Sequence, residues 1–290
     1  MQDINALIDL LDDPDETVFS HIEEVLTGLG PGILPHLDAA NEHAANALHK
    51  ERISRLFRKL QSNDAADQLR KWVSNEHRNL LRGAHLVSLA AGQRGEYAEL
   101  EQAVEQVRKD AWLELNHNLT ALEKIRILNY ILFEVHGFKF TQPPFHSIEE
   151  HCIHQCMATR QGSPVIISLL YTALANLLEM PVYIMRLPGQ FVLAYLDDPA
   201  NMPVSEQQGN VLFYINVFNK GSVFSSHEIS KYLRKMNVRP EPSHFFPGSN
   251  IMAVHQLLKS IEFSFETSGH QFEADAIRLT RVNLLSPAVS

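Results

Sequence analysis

Residues 165–178, VIISLLYTALANLL, are apolar almost all the way round a helix, and a helix without a broad polar stripe must be buried on nearly every side. Ser163 before it can cap the free N–H groups of the first turn, and Pro164 fits the first helical position, where its missing N–H costs nothing. Ser168, Thr172 and Asn176 recur every fourth residue and mark one narrow line that must meet something polar. Met180-Pro181 ends the helix. Val182, Tyr183, Ile184 and Met185 then read as a core strand, and Leu187-Pro188-Gly189-Gln190 as a corner into a second one. The chain is therefore expected to be α+β and mostly helical, with a small antiparallel sheet packed on this helix.

A buried helix whose start faces a sheet is the platform of papain-like and transglutaminase-like enzymes, because the amides and dipole at its end favour a thiolate. The series Arg160-x-Gly-Ser-Pro, helix, Met-Pro-Val-Tyr, Leu-Pro-Gly-Gln-Phe and Tyr214-Ile215-Asn216-Val217-Phe218-Asn219 resembles bacterial transglutaminase-like proteins of the Sir-regulator type, often followed by tetratricopeptide repeats. The resemblance runs roughly from Gly83 onward. It implies a Cys at the helix start, a His on the next antiparallel strand and an Asp on the strand after. Here those positions hold Pro164 or its neighbour Ser163, then Gln190, then Asn216. Proline has no nucleophile, glutamine shuttles no proton near neutral pH, and asparagine does not stabilise an imidazolium as a carboxylate does. Ser163 has no base in Gln190 and reads as the cap. Gln190 and Asn216 read as amides that satisfy a former active-site cleft, bonded to each other or to a ligand. Arg160 reads as pairing with a carboxylate of its own domain, with an anion site beside the helix start as the alternative.

With 290 residues, 45% of them hydrophobic, the chain has material for two modest domains. A formal net charge of −9 with dispersed basic residues points away from nucleic acid. No apolar run is long enough for a membrane span, and Met1-Gln2-Asp3 opens an acidic segment rather than a signal, so a cytoplasmic protein is expected. Two cysteines agree with a reducing compartment.

Residues 1–78 read as a helical stack. The helix, Asp12-Asp13-Pro14-Asp15 turn and helix at its start are similar to a HEAT-type hairpin. A fourth helix is expected over 46–60 and a fifth over 65–73. Lys50, Arg52, Arg55, Arg58 and Lys59 read as the solvated face of the fourth, opposite Ile53, Leu56, Phe57 and Leu60. Residues 79–248 read as the transglutaminase-like domain that the resemblance implies. Its first helices are expected at 79–91, 97–115 and 121–135, with Trp112 as a core anchor. A further helix should start at Ser147, with Glu150 completing a capping box. It carries His151, Cys152, His154 and Cys156. On one continuous helix the two cysteines share a face and the two histidines another, so one zinc ion does not take all four. Cys156 reads as a small buried apolar residue. A thiol nucleophile with His151 or His154 as base is the enzymatic alternative.

Residues 249–290 read as a helical hairpin similar to one tetratricopeptide unit, with Leu257, Leu258, Ile261 and Phe265 facing Phe272, Ala276 and Leu279. The function expected is a catalytically inactive regulatory module that binds protein partners, with no cofactor or metal and a homodimer possible through the hairpin. The alternatives are a cysteine or serine hydrolase or acyltransferase using residues outside the matched triad, and a sensor that holds a small ligand or peptide between Arg160, Gln190 and Asn216.

Overall fold

The computed structural model of the chain describes residues 4–185, 187–189, 191–197 and 211–285. The first helices are α1 (Ile4–Asp9), α2 (Glu16–Gly28), α3 (Leu34–Glu42) and α4 (Ala47–Asn75). Asp15 caps α2 by accepting the Thr17 N–H at 2.8 Å. The expected fourth and fifth helices are one, because residues 61–64 hold no Gly or Pro and neighbours use their side chains. Gln61 donates to the Leu89 and Gln93 carbonyls and Ser62 to that of Ala90. The first half of α4 packs Ile53, Leu56 and Leu60 with Ile8, Leu11, Phe19 and Leu26. Its second half gives Ala65, Leu69 and Trp72 to a separate, larger core. Arg52 is not on the solvated face. It is buried, donates to the Leu11 and Asp13 carbonyls at 2.9 and 2.8 Å and to the Glu16 carboxylate at 2.7 Å, and lies 4.0 Å over the Phe19 ring. Lys50, Arg55, Arg58 and Lys59 remain exposed.

The larger core is framed by α5 (Leu80–Ala90), α6 (Tyr97–Glu114) and α7 (Ala121–Asn129), the last continued by a π-helical turn at Tyr130–Val135. Trp112 is 60% exposed. The buried stripe of α6 is Leu100, Val104, Val107 and Ala111, and the next residue points about 100° away. Strand β1 (Lys139–Phe140), a 3-10 turn (Glu149–His151), α8 (Ile153–Thr159) and β2 (Gln161–Gly162) lead into α9 (Pro164–Leu177), buried from residue 165 to 175 as expected.

Strands β3 (Val182–Ile184), β4 (Leu193–Leu196), β5 (Val211–Asn216) and β6 (Ser222–Phe224) form one antiparallel sheet in that order, while β1 and β2 pair in parallel. Then come α10 (Ser226–Lys235), α11 (Asn250–Thr267) and α12 (Gln271–Leu285). Helix α9 touches β3, α5, α6, α8 and α11. The α11–α12 hairpin forms, but Phe272 and Leu279 are exposed rather than facing α11. Ala274, Ile277 and Leu284 pack inward instead, and Arg278 and Arg281 both grip the buried Glu262. The described residues thus form the mostly helical α+β fold with a small antiparallel sheet that the sequence implies.

Candidate functional site

The helix expected from Ser147 is broken at Cys152, which is extended (φ −98°, ψ 128°) between the 3-10 turn and α8. Two bonds accompany the break, one from a distant helix and one within the segment. Ser88 of α5 accepts the Ile153 N–H at 3.1 Å, giving α8 a cap from outside the segment. Ser147 bonds the Glu149 carboxylate, and no capping box forms with Glu150. The kink separates the two histidines. His154 Nε2 meets His85 Nδ1 at 2.8 Å, while His151 Nδ1 lies 2.7 Å from Ser163 Oγ. Among the described residues no three His, Cys, Asp or Glu side chains gather to hold a metal ion.

Ser163 starts α9 through its backbone: its carbonyl accepts the Ile167 N–H and its N–H donates to the Glu150 carbonyl at 2.7 Å. Its side chain makes no cap bond, contrary to expectation, because the hydroxyl is taken by His151. Burial pushes the His151 pKa down to about 4, and a hydrogen bond to the Phe145 backbone opposes it. The ring is neutral at pH 7, and with Nε2–H donating to that carbonyl Nδ1 accepts from Ser163. Ser163 is 0% and His151 4% exposed, so the pair has the spacing of a nucleophile and base but no open face. The contact needs close approach below it. A Cβ on Gly162 would stand 2.5 Å from Ile166 Cγ2 and 3.1 Å from Cys156 Sγ. Gly162→Ala is expected to cost about 1–3 kcal/mol, read from the urea midpoint.

The two thiols expected as alternative nucleophiles are buried as well. Cys152 and Cys156 are both 0% exposed, and burial pushes each up to about 12. Cys152 Sγ is bonded to the Ile148 carbonyl at 3.2 Å. Neither is a thiolate near neutral pH.

Arg160 caps α8 with left-handed backbone (φ 59°), and its guanidinium lies 4.9 Å from the Phe138 ring centre. It pairs with no carboxylate among the described residues. Its Nη1 is buried without a hydrogen bond, as are Glu150 Oε2, Thr141 Oγ1 and Ser168 Oγ. On the polar line of α9, Thr172 donates to the Ser168 carbonyl and Asn176 to that of Val182, tying the helix to β3. Asn216 is half-buried and caps its own turn by accepting the Asn219 N–H at 3.2 Å. Gln190 lies outside the described residues.

One residue past Pro164, Val165 enters the wall of a cavity of about 510 Å³ between α9, the β3–β4 corner and the start of α11. Ile184, Met185, Leu187 and Phe191 line it from the corner, Met252, Ala253, Gln256 and Lys259 from α11 and Ser243 and His244 from the loop before it. Sequence reasoning missed both the Ser163–His151 contact and this lining. A signal for the contact was present: Ile153, Cys156 and Met157 restart a helical stripe and mark a second helix start after His151.

Comparison with known proteins gives a consistent picture. Residues 97–259, more than half of the chain, match the family described as transglutaminase-like superfamily. The UPF0162 protein YchA of Escherichia coli (strain K12) is 25% identical over 172 residues, 58% of this chain and 58% of that protein. F-box only protein 21 of Mus musculus is 26% identical over 103 residues, 35% of this chain but 16% of that protein, and the Homo sapiens protein matches equally. The chain thus spans less than two thirds of these relatives. No solved structure matches it.

Proposed function

This chain belongs to the transglutaminase-like superfamily, and we propose that it is a member that binds a protein segment without breaking a bond. The observation that supports this reading is the sealed start of α9. The hydroxyl at the nucleophile position is 0% exposed and held by a neutral histidine, and both thiols nearby are pushed up to about 12. Open beside the start of α9 is a largely apolar cavity, suited to side chains rather than to proton transfer. We assign the chain to the Sir-regulator type, as a regulatory module of the bacterial cytoplasm, with its N-terminal helices as a HEAT-like docking stack. The match to a short stretch of the much longer F-box only protein 21 supports a domain that also occurs within longer chains.

The 2.7 Å contact favours a second reading, a serine hydrolase or acyltransferase in which His151 takes the Ser163 proton. A fluorophosphonate probe separates the two. The native chain is expected to stay unlabelled over hours at pH 7–8. Stoichiometric labelling that disappears in Ser163→Ala would establish the enzyme and end the binding-only reading.

A further inference from the structure

Val165, Ile184, Met185, Phe191 and Met252 line the cavity beside α9 together with His244, Gln256 and Lys259. Lys259 is the one Lys, Arg, Asp or Glu among the described lining residues. It is exposed on α11 and pairs with no carboxylate among the described residues. Glu262, one turn further on, is occupied by Arg278 at 2.7 Å and Arg281 at 2.6 Å. His244 Nδ1 accepts the Glu241 N–H at 3.1 Å, which leaves Nε2 as the ring's donor. Among the described lining residues there is a cation and there are hydrogen-bond donors but no anion, in a chain of net charge −9, while Glu241, outside the lining, has its carboxylate on the His244 backbone N–H.

We propose that this cavity takes the C-terminal end of an extended peptide, with its last apolar side chain against the apolar lining and its terminal carboxylate on Lys259 beside His244. The proposal rests on the reading that the cleft holds a protein segment, and adds what that segment carries. An unpaired lysine beside an apolar lining attracts a ligand with one anionic end and an uncharged body, because a second charge would be desolvated without a partner. A peptide fits better than an alkyl acid. Ser243, Gln256 and the backbone at Gly189 line the same cavity, and peptide amides satisfy such groups where an alkyl chain covers them unbonded. Met185 and Met252 adapt to side chains of different shape, so the class of terminus is read more strictly than the residue.

The test uses the full chain and fluorescein-labelled six-residue peptides randomised at their last three positions, one set with free C-terminal carboxylates and one amidated. The free-acid set is expected to bind about tenfold more tightly by anisotropy, the scale of one charge-assisted hydrogen bond. Lys259→Gln should remove that difference and leave the amidated set unchanged. Met252→Trp, which fills the cavity from a half-buried position, should abolish binding of both, with thermal melting confirming that it folds. Equal binding of the two sets, lost in Met252→Trp, would overturn the carboxylate proposal while the segment-binding reading stands. Binding of neither set, or binding that Met252→Trp leaves untouched, would overturn both. Dodecanoate should not displace the peptides; a fatty acid that binds where the peptides fail would also overturn the proposal.

Discussion

Between pH 6.5 and pH 4 the folded chain is expected to lose several kcal/mol of stability, most of it before its carboxylates are protonated. Burial pushes His151 down to about 4. His85 lies at about 3, through burial first and then the charges of His154 and Arg82. In the unfolded chain both titrate near the ordinary 6.5. Above 6.5 neither state binds these protons and stability does not change on their account. Below it the unfolded state takes them up first, so stability falls with pH until the folded rings also protonate, near 4 and near 3. At about 1.4 kcal/mol per pKa unit, His151 alone removes on the order of 3 kcal/mol, and His85 acts in the same direction. His154 and His255 are lowered too and add to the window. Glu262, held below its usual value by Arg281 and Arg278 against the effect of burial, loses its share only at more acid pH. Urea midpoints at pH 7, 6, 5 and 4.5 measure the slope, and His151→Gln and His85→Gln should each flatten it. A midpoint that does not move between pH 7 and pH 5 would show that both rings are hydrated.

The same histidines show where the sequence was legible and where it was not. Helix α9 and the strands beside it could be read because an apolar run of that length has one place to go and Pro164 and Pro181 fix its ends. The family was readable for the same reason, through the Gly-Ser-Pro and Pro-Gly-Gln-Phe corners. Boundaries set by partners distant in sequence were not. Helix α4 continues past Gln61 because the end of α5 uses that side chain, and residues 147–159 break where Ser88 takes the Ile153 N–H. The break carries His151 to Ser163, so a serine that composition makes a cap becomes half of a buried pair. Arg52 misled in a related way. A basic residue on an amphipathic helix reads as solvated, yet it closes the α1–α2 turn, whose carbonyls need a donor. The outward Phe272 and Leu279 follow from Glu262, which draws Arg278 and Arg281 to the face of α12 that packs on α11.

Replacing Trp72 by alanine is expected to cost about 3–5 kcal/mol, a large effect for a single side chain. The indole is 1% exposed and donates to the Asn79 carbonyl at 2.8 Å, and Asn79 in turn caps α5 by accepting the Arg82 N–H. Alanine leaves a cavity at the start of the helix that Trp72 packs against and removes one of the two donors to the Asn79 carbonyl, the other being the Gly83 N–H at 3.2 Å. Because α4 is continuous, both cores share its backbone, and the loss should lower the urea midpoint of the whole far-UV signal rather than of one part. The chain has two tryptophans. The variant keeps only Trp112, 60% exposed, so its emission should be red-shifted before any denaturant is added. Gly83 tests the packing from the other side. A Cβ there would stand 2.8 Å from Trp72 Cζ2 and 2.9 Å from Val254 Cγ2. Gly83→Ala alone should cost about 1–3 kcal/mol. In a Trp72→Phe background the six-membered part of the indole is gone, and the same change should cost about 1 kcal/mol less, a coupling measurable by a double-mutant cycle. Full additivity would instead place the limit on Val254 and α11, making the approach of α5 to the C-terminal hairpin the tighter of the two constraints on Gly83.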